Sequence, residues 1–571
     1  MGIQNATGRG GQVVDVDAVV VGSGINGLVA SAELALAGWS VVLVERAERI
    51  GGFIAAEECT LPGYVHDTYS SWHPLFVSGA AFARLGPLLR AHGLSYCNTE
   101  EWVTASVADD GRVTLAHRDP ERTAAGFAQE ADRAAYLAEL ERIGDNMAAI
   151  GGLMGSEPRS TAFLRHAAGL FRTGGRAGTE QWLRSLATSG RAYARTRFSG
   201  YEVDHLFSPW LLHAGLAPDH ASGALMMPLL AATLHGFGVP VVAGGAGRFL
   251  DAFLSLLDSL GVRVEIGTRV ETVLVEDGRA AGVVTDRGVV RARRAVLASV
   301  TPTALYGSLL PESAVAPAVR DAAARFRYGR GAMQIHVALS EPIGWRDERL
   351  GQVPILHLTD GSASTGIACA EAEAGLLPRR PTVVVGQQYL LDPTRVPAGA
   401  AALWLQLQEV PFAPVGDAGG ELDTTEGWSP ALAQGYTDRV MARIALHAPD
   451  VYDKVLAVDV ITPVQLAEHN PNAVSGDPYG GAAELDQDFW WRPSPTCGRH
   501  ATPIHGLWHI GASTHPGAGL GGGSGHIVAT TLTTRPRLAR VRHLLDRRRG
   551  TSGRQPADDE PGRPTQAPHY P

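Results

Sequence analysis

The stretch "DAVVVGSGINGLVASAELALAGWSVVLVERAERIGG", Asp17 to Gly52, constrains this chain more than any other. Ala18 to Val21 is a short apolar run closed by glycine, Gly27 to Ala37 combines helix formers with small and apolar faces, and Ser40 to Val44 is apolar again. The order is strand, helix, strand. The turn carries Gly22-x-Gly24-x-x-Gly27 with Ser23 and Asn26 between the glycines. Gly22 permits the tight turn, Gly24 lets the backbone approach a pyrophosphate, and Gly27 lets the helix sit close to the strand. Phosphates would rest on the helix N-terminus, where unpaired N–H groups and the helix dipole favour negative charge. Glu45, followed by Arg46, ends the second strand about 20 residues on, where an acid binds ribose hydroxyls. The pattern predicts a Rossmann-like α/β domain that binds a dinucleotide.

At 571 residues the chain exceeds one ordinary core, so two domains or a large composite are expected. A net charge of -9 argues against a nucleic-acid partner, which would need a basic face. Cys59, Cys97, Cys369 and Cys497 form no CxxC pair, so neither a redox dithiol nor a metal knuckle is expected. A reducing, cytoplasmic setting fits that usage. "MGIQNATGRGGQVVD" has no signal-peptide pattern, and no apolar run is long enough to suggest a membrane span.

Beyond Gly79 the sequence is Ala-, Arg- and Leu-rich with helical spacing, and reads as a mostly helical insertion to about Gly200. A glycine turn at Gly244 to Gly247 then precedes an amphipathic helix with Phe249, Leu250, Phe253, Leu254 and Leu257 on one face. Strands are expected at Val262 to Ile266, Val270 to Val275, Ala280 to Val284 and Ala295 to Ala298. This block is expected to rejoin the first sheet. "GAMQIHVALSEP", "TVVVGQQYLL" and "AALWLQLQEVPF" read as a second sheet, and Thr462, Pro463 and Gln465 as a capped helix start. Near the end, "GLWHI" reads as a strand, "GASTHPGAGLGGGSGH" as a glycine-rich turn and "IVATTLTT" as a helix.

The second glycine pair, Gly51-Gly52, extends the first motif as in flavoproteins of the glutathione-reductase-like superfamily. With "GGAGRFLDAFLSLLDSLGVRVEIGTRVETVLVEDGRAAGV", "ELDQDFWWRPSP" and "GLWHIGASTHPGAGLGGGSGH", the chain resembles the phytoene desaturase and carotene ketolase group of FAD-dependent oxidoreductases, and its relatives named pyridine nucleotide-disulfide oxidoreductase domain-containing proteins. The similarity covers most of residues 15 to 535. It implies FAD as cofactor, and an FAD domain built from residues 15–78, 235–305 and 495–535. It also implies a β-sheet-and-helix substrate domain from 79–234 and 306–494. Val270 would approach the adenine, and Gly511, Ala512, Pro516 and Gly517 would lie against the flavin. The chain departs from the family pattern at Ile25, where His is frequent, at Ala518, where a second glycine is frequent, and at "GGSGHIV".

The resemblance further implies hydride transfer to FAD from a hydrophobic, carotenoid- or isoprenoid-like substrate. Without a second dinucleotide motif, reoxidation by oxygen or a quinone is expected. His515 and His235 are the catalytic candidates as acid, base or positioning groups. His66, Asp67, Trp72 and His73 are further candidates for the flavin end. A flavin oxidase or ketolase-type enzyme on a smaller metabolite, and a non-catalytic FAD-bound scaffold, remain alternatives. "ALMMPLLAATLHGFGVPVV" fits a lipid-lining or a buried helix. The basic "RPRLARVRHLLDRRRG" fits peripheral membrane contact or a solvated helix end, before a disordered tail over 550–571.

Overall fold

The computed structural model describes residues 14–534. The N-terminal stretch before Val14, the basic segment from 535 and the tail over 550–571 lie outside the described residues.

The chain builds two seven-stranded sheets. Val14–Val21 is the hub of the first, with the parallel partners Val41–Val44 on one side and Gly288–Ser299 on the other. Outside these lie Arg263–Glu265, parallel to Val41–Val44, and Leu507–Ile510, parallel to Gly288–Ser299. Gly288–Ser299 also continues into an antiparallel meander with Arg279–Thr285 and Val270–Glu276. The central strands are valine-rich because both faces are covered. Val20 and Leu43 pack under the helices Ile25–Leu36 and Gly247–Ser259, whereas Val19, Val42 and Val296 face the other core. Segments from the start, middle and end of the chain thus share one sheet.

The second sheet runs in the order Val455–Ile461, Gly331–Leu339, Ala401–Val410, Val383–Gly386, Ile355–Leu358, Trp102–Val107, Val113–His117. Period-two alternation sets its two faces. Leu403, Leu405 and Leu407 enter a core under the helix Pro430–Ala445, while Trp404, Gln406 and Gln408 point the other way. Helices Glu130–Met154 and Gly223–Phe237 cover the far side, and Thr161–Ala187, broken at Gly175, packs outside them.

The structure adds detail to the sequence expectations in three places. The helix Ala80–Ala91 puts Ala81, Leu85 and Leu89 into the core of the first sheet, so that module runs past residue 79. The insertion is mostly helical, as expected, but it also supplies Trp102–Val107 and Val113–His117, which form one edge of the second sheet. "TVVVGQQYLL" is a strand only to Gly386, and Gln388–Leu390 is a 3-10 turn. The expected cap is present: Thr462 Oγ1 accepts from Gln465 N–H, and Gln465 Oε1 accepts from Thr462 N–H at 2.9 Å. No helix among the described residues is long and apolar enough to cross a membrane.

Candidate functional site

Two cavities meet where the sheets face each other. The larger, about 980 Å³, follows the C-terminal ends of the first sheet and is lined by Gly22, Ser23, Gly24, Glu45, Arg46, Gly52 and Val270 among others. Gly22 has φ +90°, and the Cβ of any other residue there would lie 3.0 Å from Ser299 O. Gly27 packs so tightly that an added Cβ would stand 2.0 Å from Gly22 O. Gly24 is the opposite case: an added Cβ would meet nothing within 4 Å and would project into open space. The first bond at the head of the helix runs from Leu28 N–H to Gly24 O at 3.0 Å. The amides of Ile25, Asn26 and Gly27 are therefore the unpaired donors of a helix start. Glu45 is held at the wall, its Oε2 accepting from Ser23 N–H and Ser23 Oγ at 2.8 and 2.6 Å, and Oε1 from Ala47 N–H at 2.9 Å.

The second cavity, about 280 Å³, shares Gly24, Gly52, Tyr69, Ser299, Asn470 and Asn472 with the first. One wall is Gly51, Gly52, Gly511 and Ala512 from the nucleotide-binding module; the facing wall is Gln334, Trp404, Gln406 and Gln408 of the second sheet. Trp72, Trp210, Leu230, Leu234 and Tyr479 fill the sides. Among the described residues no Asp, Glu, Lys or Arg lines it. Its one imidazole, His213, is pushed down to about 3 by burial, so it is neutral near pH 7. Burial also pushes the Tyr69 phenol up to about 12, leaving it protonated.

A family model described as "Flavin containing amine oxidoreductase" matches residues 25–385. The chain belongs to the flavin-containing amine oxidoreductase family. Its curated relatives include pyridine nucleotide-disulfide oxidoreductase domain-containing protein 2 of Rattus norvegicus, 26% identical, with 90% of this chain and 93% of the relative aligned. A limonene dehydrogenase polypeptide of Castellaniella defragrans is 25% identical over 91% of this chain and 95% of its own length. A neurosporene-forming phytoene desaturase of Rhodobacter capsulatus is 24% identical over 91% and 94%. Among solved structures, an oxidoreductase from Methanosarcina mazei aligns with TM-score 0.59 and 15% identity, covering 91% of this chain and all of that one. Cyclohexylamine oxidase from Brevibacterium oxydans gives 0.54 and 16%, covering 91% and 99%. These structures share the fold.

A flavin-containing amine oxidoreductase uses FAD, and the chain's own residues fit that cofactor. The open space over Gly24, the unpaired amides of the helix start and the acidic Glu45 suit pyrophosphate and ribose, and the long cavity leads from them to the glycine-lined junction with the second. Arg492, buried in "FWWRP", explains why that motif accompanies "GAST": Nε and Nη2 donate to Ala512 O at 3.1 and 2.8 Å, and Nη2 also to Tyr479 O at 3.2 Å. It ties the Gly511-Ala512 wall to the side of the smaller cavity. Asn470, Asn472 and Tyr69, which sequence reasoning missed, close the junction; Asn472 Nδ2 donates to Ser299 O at 3.1 Å. Polar residues after a capped helix carry no signal of this in the sequence.

The catalytic candidates are corrected. His515 lines neither cavity: Nε2 is 3.1 Å from Leu153 O, and the ring packs on Phe163. His235 is likewise outside, with Nε2 2.6 Å from Tyr136 OH and Nδ1 3.2 Å from Arg118 O. Both turn away because a helix of the insertion offers each a buried partner. Pro516 and Gly517 also line neither cavity; Gly517 lies over Asp488 and Arg492 instead. Asn26 lines the smaller cavity with its neighbours Gly24 and Ile25, while its Oδ1 accepts from Gly525 N–H at 3.2 Å and joins the first and last helices. Of the further candidates only Trp72 lines a cavity. Asp67 accepts from Arg395 at 2.7 Å, His66 is 2.8 Å from Thr60 Oγ1, and His73 Nδ1 is 2.9 Å from Tyr96 OH.

No metal ligands were expected from the separated cysteines. Folding nonetheless brings potential ligand atoms of Cys59, His336 and Asp459 within 4.8 Å of one another. Burial and the nearby Asp459 push the Cys59 thiol up to about 12, so it is protonated.

Proposed function

We propose that this protein is an FAD-dependent dehydrogenase of an uncharged, mainly apolar, compact molecule of isoprenoid-like character. The observation that carries this reading is the smaller cavity, whose wall holds no charged side chain among the described residues. A cationic amine would lose its hydration there and gain no counter-charge. Limonene dehydrogenase and phytoene desaturase are named for neutral hydrocarbons, whereas the structural neighbour putrescine oxidase is named for a diamine. The uncharged wall supports the first kind. The cavity measures about 280 Å³, and the part against the Gly511-Ala512 wall belongs to the flavin, so the remainder favours a compact molecule over the whole length of a carotenoid.

FAD, when bound, supplies a hydride acceptor. The chain holds the substrate between Trp72, Trp210 and Trp404, excludes water with these apolar faces, and presents a C–H bond toward the Gly51-Gly52 and Gly511-Ala512 wall. Desaturation removes a proton along with the hydride. The proton passes to solvent; His213, the imidazole that burial keeps uncharged in the wall, is the positioning group in place of His515 and His235. Oxygen or a quinone completes the cycle as the electron acceptor, and peripheral membrane contact supplies a lipophilic substrate.

The test is anaerobic flavin absorbance during titration with neutral C10 terpenes and, separately, with primary amines. Bleaching by a terpene and not by the amines is expected. Bleaching by amines alone overturns the proposal.

A further inference from the structure

The smaller cavity is apolar over most of its surface, but one part of its wall is a dense patch of uncharged polar groups. Gln334 and Gln406 stand directly opposite each other on neighbouring strands, and Gln408 follows on the same face as Gln406. Gln408 Nε2 donates to Gln406 Oε1 at 3.0 Å and to Tyr479 OH at 2.7 Å, and lies 3.4 Å from His213 Nδ1. The Tyr479 oxygen thus acts as acceptor, and its hydroxyl proton has no acceptor among the described residues. Gln334 is 3% exposed, and its buried Nε2 has no hydrogen-bond partner among the described residues. Gln408 Oε1 is unpaired as well.

Buried amides without partners are costly, and a wall made only to hold a hydrocarbon would be built from Leu or Phe. The free groups are donors and acceptors of no net charge, which matches neither a carboxylate nor an ammonium ion. We infer that the substrate carries one uncharged oxygen, a hydroxyl or carbonyl, that docks on Gln334 and the Tyr479–Gln408 pair while its apolar body lies against the tryptophans. This deepens the proposed function and rests on its choice of the smaller cavity. The oxygen is an anchor: it fixes which C–H bond faces the Gly511-Ala512 wall, and no bond to it is made or broken. Sites built to pair a substrate oxygen discriminate strongly against the analogue lacking it, because their own polar groups are then left buried and unpaired.

The experiment measures binding separately from turnover. FAD-loaded protein is titrated with limonene, carveol and carvone, followed by quenching of tryptophan fluorescence, since Trp72, Trp210 and Trp404 line the cavity. The wild type is expected to bind at least one oxygenated probe about tenfold or more tightly than limonene. Gln334→Leu and Tyr479→Phe, each checked for retained flavin, are expected to shrink that ratio by weakening the oxygenated probe more than limonene. Equal binding of all three probes by the wild type, or an unchanged ratio in both variants, overturns the anchor alone. No binding of any probe removes the choice of cavity and the anchor with it. A preserved oxygen preference with no flavin bleaching by any probe refutes the proposed dehydrogenation and leaves the anchor standing.

Discussion

Gly24 and Gly27 sit three residues apart in one motif, yet the same change should act on them through different physics. At Gly27 an alanine Cβ would lie 2.0 Å from Gly22 O and 3.1 Å from Gly22 C, so the helix must move off the turn. Overpacking of this kind costs about 1–3 kcal/mol or more, and the cost exists without cofactor. At Gly24 the φ of -59° suits any residue and an added Cβ meets no atom within 4 Å. The apoprotein should lose at most about 1 kcal/mol, the difference between glycine and alanine at a helix N-cap. The added methyl instead occupies the space over the helix start. Losing one charge-assisted bond from an amide to phosphate costs about 1.5–3 kcal/mol, or about ten- to a hundredfold in FAD affinity. Urea unfolding of the two apoproteins and FAD titration by fluorescence quenching separate the effects. Gly24→Ala should unfold near the wild-type midpoint and bind FAD weakly, while Gly27→Ala should unfold early. Wild-type FAD affinity in Gly24→Ala would refute the placement of the phosphates at this helix.

Arg492→Met leaves the carbonyls of Ala512 and Tyr479 without their donor and frees the Gly511-Ala512 wall; flavin retained through gel filtration should fall, and unfolding should come earlier by about 2–4 kcal/mol. His515→Ala should lower the melting temperature and leave the anaerobic flavin reduction rate unchanged, whereas His213→Gln should slow reduction with flavin content preserved. Burial pushes the Glu409 carboxyl up to about 7, against the pull of the Thr382 amide, Arg330 and the Gln408 amide. Between its unfolded value of about 4.3 and about 7 the folded protein holds a proton that the unfolded chain has lost. Its contribution to stability is therefore complete below about pH 4 and disappears as pH rises through 7, on the order of 3 kcal/mol. Urea midpoints measured from pH 5 to 8 should fall less steeply in Glu409→Gln than in the wild type.

The nucleotide-binding half was legible because its constraints are local. A turn that admits only glycine at position 22, a helix pressed onto it at Gly27 and an acid after the next strand all lie within thirty residues. The capping box at Thr462 was legible for the same reason. The second half was not, because its meaning depends on what faces it. "LWLQLQ" announces a strand with two different sides, but alternation alone does not say whether Gln406 and Gln408 meet solvent or a cavity. The cavity exists only once Gln334, Tyr479 and Trp210 arrive from elsewhere in the chain. His515 shows the reverse error: a histidine beside a glycine turn is next to the site in sequence, but its ring is drawn off by Leu153 O, a partner 362 residues away.

The uncharged cavity has a counterpart in where the buried charge went. Asp67 accepts from Arg395 at 2.7 Å, from Ala246 N–H at 2.7 Å and from Ser71 Oγ, while Arg395 also donates to Asp392 at 3.2 Å and to Val242 O at 2.6 Å. This cluster joins the segment after the first motif, the middle block and the turn Pro393–Arg395, which lies between two strands of the second sheet. Trp404 Nε1 donates to Asp67 O at 2.9 Å, and Gln388 Nε2 to Ser71 Oγ at 3.1 Å, so the brace also fixes Trp404 and Ser71 in the cavity wall. Removing one member of such a buried pair costs about 3–5 kcal/mol, because the other is left uncompensated. The joint between the modules is thus held by ions with fixed geometry, set behind the wall they position. That arrangement leaves the wall itself free of charge, as the proposed neutral C–H donor requires.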